Sequence, residues 1–226
     1  MKLINLEDIF SNIVEPPAVV LVEGQAGTLK SALCFSTMLD ILKNPDDSGL
    51  YLTFEQTWES HLRNMNSLGM EARENLMPLD YNIMRKETGI NERDINIFDS
   101  ITNILESVKT EKKEGFKIFA LDSLNALYSI TDEKALPYVI MPFFKKLREL
   151  DLISLIIFEK SVDKPDSCYR EKFLADGIIS LGLQKEMGEV SRFLQVLKYS
   201  KAAHSLKRKN LIASSKGLSL LGTVYR

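Results

Sequence analysis

The chain has 226 residues, 45% hydrophobic and 27% charged, with 29 Lys and Arg against 31 Asp and Glu for a formal charge of −2. That length suits one compact α/β domain spanning residues 1–226, and the even balance gives no electrostatic reason to expect nucleic acid or an anionic membrane as partner. Cys34 and Cys168 imply no disulfide framework, and with only His61 and His204 beside them a zinc site is not expected.

The opening Met-Lys-Leu-Ile-Asn-Leu-Glu-Asp breaks its apolar run too early for a signal peptide. No stretch reaches the roughly 20 apolar residues that span a bilayer, so a cytoplasmic protein is expected. Ala18–Glu23, β-branched and set between a Pro pair and Gly24, predicts a buried strand. Lys30–Leu42 predicts a helix apolar nearly all round, in which Cys34 is a small buried hydrophobe. Gly49–Phe54 predicts a second strand after the turn-like Asn44-Pro-Asp-Asp-Ser48, and Thr57–Leu68 a helix.

Leu79–Met84 is a further strand candidate, followed by a polar stretch at Lys86–Asn91. Asp94–Lys109 carries Ile95, Phe98, Ile101, Leu105 and Val108 on one helical stripe, and Thr110–Gly115 reads as a solvated turn. Ile118–Asp122 is a buried strand; Leu136, Val139, Ile140, Phe143, Phe144, Leu147 and Leu150 mark a strong amphipathic helix; Ile153–Phe158 is the next strand. The tail offers strands at Gly177–Leu183, Arg192–Tyr199, Leu211–Ala213 and Leu218–Leu221. Alternating strand and helix through the first part implies a mostly parallel sheet covered on both faces, and the tail implies antiparallel strands added at one edge.

The residues Gly24, Gln25, Ala26, Gly27, Thr28, Leu29, Lys30 and Ser31 lie between the first strand and its helix. A glycine-rich turn opening a helix presents backbone N–H groups suited to phosphate oxygens. Lys30 adds a cation for the β- and γ-phosphates, and Ser31 a hydroxyl for magnesium. A tight strand-to-helix turn with a coincidental Lys-Ser is the alternative. The usual pattern has glycine where Leu29 stands; a positive φ there would cost a non-glycine residue roughly 1–2 kcal/mol.

In an open parallel sheet, ligands sit beyond the carboxyl ends of the strands. Asp122 ends an apolar strand and would reach the same edge as the loop, placed to hold magnesium with Ser31. Glu55 also emerges at a strand end, as a candidate to polarise an attacking water or as an acidic residue favouring the start of the following helix.

Four segments resemble the RecA-like ATPases, specifically the single-domain KaiC-like branch, over Ile13–Leu221: Val19–Ser31, Gly49–Gln56, Phe119–Leu124, and Leu174–Leu181 with Val196–His204. The resemblance implies a RecA-like three-layer sandwich, ATP and Mg2+ as ligands, and ring-shaped homo-oligomers with ATP at subunit interfaces. By position Lys30 and Ser31 take the Walker A roles, Asp122 the Walker B role and Glu55 that of the first catalytic glutamate, while Lys198 would reach a neighbour's ATP. Three positions depart from the family pattern: Leu29 for the last loop glycine, Gln56 for the second glutamate, and Ser200 for the finger arginine. An arginine finger supplies about 10³–10⁵ in rate, so slow Mg-dependent hydrolysis or none is expected, and the replacement at Ser200 bears equally on ring assembly. A non-hydrolysing ATP-sensing module is the alternative function. A nucleic-acid-binding ATPase, suggested by the basic residues Lys198, Lys201, Lys207, Arg208 and Lys209, lacks the aromatic interleaving such surfaces use. The sequence does not identify a protein partner.

Overall fold

The computed structural model describes residues 3–88, 97–132, 135–160, 169–186 and 188–223. Apolar runs punctuated by Gly, Pro and Asp form strands β1 (Ala18–Gly24), β2 (Ser48–Thr53), β3 (Leu76–Asp80), β4 (Phe116–Asp122), β5 (Ile153–Glu159), β6 (Gly177–Glu186), β7 (Glu189–Tyr199), β8 (Lys209–Ser214) and β9 (Gly217–Thr223). Among the described residues they make one sheet in the order β3-β2-β4-β5-β1-β6-β7-β8-β9. Pairing is parallel from β3 to β6 and antiparallel from β6 to β9. The fold is the mixed, mostly parallel α/β sheet with antiparallel C-terminal strands that the sequence implied.

Helices α1 (Leu6–Phe10), α2 (Lys30–Ile41), α3 (Trp58–Ser67), α4 (Tyr81–Thr88), α5 (Ile97–Lys112), α6 (Leu124–Ser129), α7 (Leu136–Glu149) and α8 (Tyr169–Leu174) complete the chain order. Every residue of β1 is buried, because both sheet faces are covered. The period-2 alternation of a strand divides its side chains between two cores. Val20 and Val22 join Phe10, Leu33 and Phe35 on the α2 face, whereas Val19 and Leu21 join Phe98, Phe144 and Leu147 on the α5–α7 face. Asp176 bolts the second core to the sheet: its Oδ2 accepts from Val19 N at 2.8 Å and its Oδ1 pairs with Arg148 at 3.1 Å.

Several boundaries differ from expectation for local reasons. The strand expected at Leu79–Met84 runs instead over Leu76–Asp80, at the sheet edge where Pro78 is tolerated. Asp80 Oδ1 then accepts from Ile83 N at 2.9 Å and turns the chain into α4. α5 continues to Lys112, so the expected turn at Thr110–Gly115 shrinks to a 3-10 turn over Lys113–Gly115. α1 and α6 are short helices nucleated by side-chain caps, Asn5 accepting from Asp8 N and Ser123 from Ala126 N; neither is long enough to show a periodic signal. Residues 89–91 and 94–96, and Cys168, fall outside the described residues. No helix among the described residues is long and apolar enough to cross a membrane.

Candidate functional site

Register brings the site together. Gly24 at the end of β1 pairs with Glu159 of β5, and Thr53 of β2 pairs with Asp122 of β4, so all four strands end at one edge. A cleft of about 460 Å³ opens there between the loop at 24–31, the segment after β2 and α3; Lys30, Ser31, Glu55, Asp122 and Glu159 line it. The loop, Asp122 and Glu55 thus share one cavity.

Gly24 is required by close approach: a Cβ there would meet the Leu181 carbonyl oxygen at 2.6 Å and Thr28 Oγ1 at 2.7 Å. Gly27 adopts φ +76° with open space around it. Leu29 adopts φ 73°, ψ 30°, the left-handed conformation that favours glycine, so the substitution noted in the sequence sits at a strained position. Its side chain packs against the α2-face core and also lines the cleft. As the N-cap of α2, Leu29 provides no side-chain hydrogen bond, leaving the first amides of a 12-residue helix without a side-chain acceptor. Thr28 Oγ1 and Lys30 Nζ both donate to the Gln25 carbonyl, at 2.8 and 2.9 Å, closing the turn.

Lys30 is almost wholly buried and its ammonium also pairs with Glu159 Oε2 at 3.5 Å. Glu159 lies one residue past the strand end expected at Phe158, and as an acidic residue closing an apolar strand it carries the same sequence signal as Asp122. Asn125 fixes its backbone, donating to Glu159 O at 3.0 Å and accepting from Glu159 N at 2.6 Å.

Asp122 is buried and accepts a hydrogen bond from Tyr51 OH at 2.7 Å. Burial pushes its carboxyl up to about 6 and the nearby Glu55 carboxylate adds to the rise, whereas hydrogen bonds from Ser31 and Tyr51 and the charge of Lys30 oppose it. Glu55 is exposed, its Oε1 accepting from the Ser123 hydroxyl. Gln56, at the position where the family resemblance implies a second carboxylate, has its amide nitrogen 3.1 Å from His61 Nδ1 and its oxygen accepting from Asn64 at 3.2 Å.

His61 lies wholly buried among Phe35, Tyr51 and Trp58, and desolvation pulls it down to about 4. A depressed histidine contributes stability that is complete above its unfolded value near 6.5 and is lost as pH falls toward 4, a span worth about 3 kcal/mol. Asp122 acts oppositely: raised from 3.8 to about 6, it is protonated first in the folded state, so falling pH stabilises the fold over nearly the same window. The two slopes offset in the native protein. A His61→Gln variant should therefore gain stability relative to the parent as pH drops from 6.5 to 4, measured by urea unfolding; parallel curves would count against the assignment.

Two cationic residues of the C-terminal strands engage backbone carbonyls. Lys198 is not among the residues lining the cleft; its ammonium donates to the carbonyls of Ala175, Lys172 and Phe173 at 2.6, 3.0 and 3.2 Å, capping the end of α8. Desolvation lowers its pKa. Arg192, which nothing in the sequence singled out, donates from Nε to the Gly27 carbonyl at 2.9 Å across the loop at 24–31. Lys201 donates to the carbonyls of Pro17 and Glu15, Lys209 to that of Asp8, and Arg208 stacks 4.2 Å over Phe193.

Comparison with known proteins agrees with this architecture. Residues 3–224 match the family model described as the KaiC ATPase. The circadian clock oscillator protein KaiC of Prochlorococcus marinus subsp. pastoris is 24% identical over 190 residues, covering 81% of this chain but 37% of that protein, so the chain spans well under half of that relative's length. The crystal structure of a KaiC-like protein from the hyperthermophilic archaeon Pyrococcus horikoshii OT3 has the same fold, with a TM-score of 0.79 over 96% of this chain and 94% of that one at 18% identity. With nearly its whole length matched, the chain belongs to the KaiC family of ATPases.

Proposed function

We propose that residues 24–31 hold the phosphates of ATP, that Ser31 and Asp122 hold its magnesium ion, and that the chain works as one nucleotide-binding domain. The observation that carries this is the start of α2: amides without a side-chain cap, a tight loop that Gly24 lets pack closely and Gly27 leaves open on its outer side, and Lys30 and Asp122 lining the same cleft. Such a donor set suits a polyanion. The hydroxyl of Ser31 beside the Asp122 carboxylate is a hard-oxygen pair of the kind magnesium takes. When bound, the ion would neutralise charge developing on the terminal phosphates.

The protein's own groups have separate tasks in this reading. Lys30 adds positive charge next to the loop amides, and its bond to Gln25 keeps the turn closed. Arg192, held against Gly27, puts a second cation over the same loop. Glu55 is the group placed to take a proton from an attacking water.

Turnover is slow in this reading. Glu55 is engaged by Ser123, Gln56 has no carboxylate to share the task, and Ser200 stands where the family resemblance implies an arginine. These features favour, as a second reading, a module that senses ATP without hydrolysing it. Lys198 would have to leave three carbonyls to reach a neighbour's nucleotide, which weakens the support for a ring with shared sites. Several tail cations engage the chain's own carbonyls, which weakens a nucleic-acid reading. A cytoplasmic location accords with the absence of a membrane-crossing helix among the described residues.

Calorimetric titration with ATP and magnesium, together with phosphate-release measurements, tests the proposal. Saturable binding with magnesium-dependent release is expected; binding without release leaves the sensing reading, and no binding removes both. Leu29→Gly bears on the loop itself. Relief of the left-handed strain, roughly 1–2 kcal/mol, is offset by greater unfolded-chain freedom and lost packing. Thermal stability should stay within about 1 kcal/mol of the parent while ATP affinity rises. A fall in affinity would mean the leucine is part of the binding wall.

A further inference from the structure

We propose that Tyr51 is a positioning residue for Asp122, fixing the carboxylate in the orientation in which it meets the metal ion of a bound nucleotide; this rests on the nucleotide-binding reading above. The geometry follows from register. Thr53 pairs with Asp122 and Tyr51 with Ala120 on adjacent parallel strands, so Tyr51 starts two residues short of Asp122 on the same sheet face. Two residues of strand rise roughly 6.6 Å, about the reach of a phenol leaning along the strand, and the hydroxyl arrives 2.7 Å from Asp122 Oδ2.

The Tyr51 oxygen is engaged by the Asp122 carboxylate and by the Ser31 hydroxyl, both of which line the cleft. The Tyr51 ring is wholly buried and walled by Phe35 at 6.1 Å, Trp58 at 5.9 Å and His61 at 4.4 Å between centroids. Phenylalanine would fill that space equally well. A buried phenol hydroxyl must find an acceptor, and here the walls point it at the one acidic side chain of the site that is itself buried. Ser31, the other donor to Asp122, is shared with the metal ion in the proposed complex, whereas Tyr51 is not among the residues lining the cleft. Tyr51 is therefore the donor that holds Asp122 in both the free and the loaded state. The same ring touches His61 and, through it, Gln56, so the anchor of Asp122 is packed against the segment that carries Glu55.

The test is a magnesium titration of Tyr51→Phe, read as affinity for the non-hydrolysable analogue adenylyl imidodiphosphate, with and without the metal. Expected are a modestly lower thermal melt, because the buried Asp122 carboxylate loses a donor in the fold itself, unchanged metal-free affinity, and a several-fold higher magnesium concentration for half-maximal tightening, because the released carboxylate must be reordered before it meets the ion. In an Asp122→Asn background the same substitution should change nothing. A magnesium requirement equal to the parent's, equal weakening with and without metal, or an undiminished effect in the Asp122→Asn background would each overturn the proposal. A parent protein that binds the analogue no better than Lys30→Ala would instead overturn the nucleotide reading on which it rests.

Discussion

Lys30→Ala is expected to weaken ATP binding about 100-fold or more, because charge-assisted hydrogen bonds in a nearly buried site are each worth about 1.5–3 kcal/mol. Two effects combine. In the proposed complex the phosphates lose the ammonium beside them, and the turn loses the bond from Nζ to Gln25 O at 2.9 Å that holds it closed. Stability should change little, since the partner carboxylate of Glu159 is 41% exposed and its ion pair is screened by water. Lys30→Arg should not rescue binding, as a planar fork cannot occupy a point-charge site folded back on its own loop. Calorimetry on a variant with a parent-like melt decides the matter, and retained affinity would take Lys30 out of the phosphate site.

Glu55→Gln should lower phosphate release by about 10²–10⁴ while leaving ATP affinity nearly unchanged, the range expected when a general base is removed. Glutamine keeps the size and an acceptor oxygen for the Ser123 hydroxyl, so the change isolates proton transfer from packing. Should the variant match the parent's release rate, the base lies elsewhere, and Glu159 is the next carboxylate lining the cleft. Should the parent itself release no phosphate above background, the chain is an ATP-sensing module, and Glu55 has a structural task at Ser123.

The sheet was readable because its signals are local. Ala18–Glu23, Ile118–Asp122 and Ile153–Phe158 are continuous apolar runs, and only strands buried on both faces tolerate such runs in a chain of this charge content. α7 was readable from its stripe, whose Ile140, Phe143, Phe144 and Leu147 are all buried. The error at Leu79–Met84 has the opposite character. There the outcome depended on one carboxylate, Asp80, accepting from Ile83, and on β3 lying at an edge, neither of which leaves a periodic trace.

For the site, residue order alone determined that Gly24–Ser31 joins a buried strand to a helix and that Asp122 and Glu55 follow strand ends, since each depends on chain neighbours. Only the tertiary structure decided which strands lie side by side: β5 comes between β1 and β4 and delivers Glu159 to Lys30, Tyr51 reaches Asp122 across β2 and β4, and β7 returns to set Arg192 on Gly27. It also decided that Lys198 caps α8. These contacts join residues far apart in sequence through sheet order and register, which are set by the burial of whole faces and not by any short stretch of the chain.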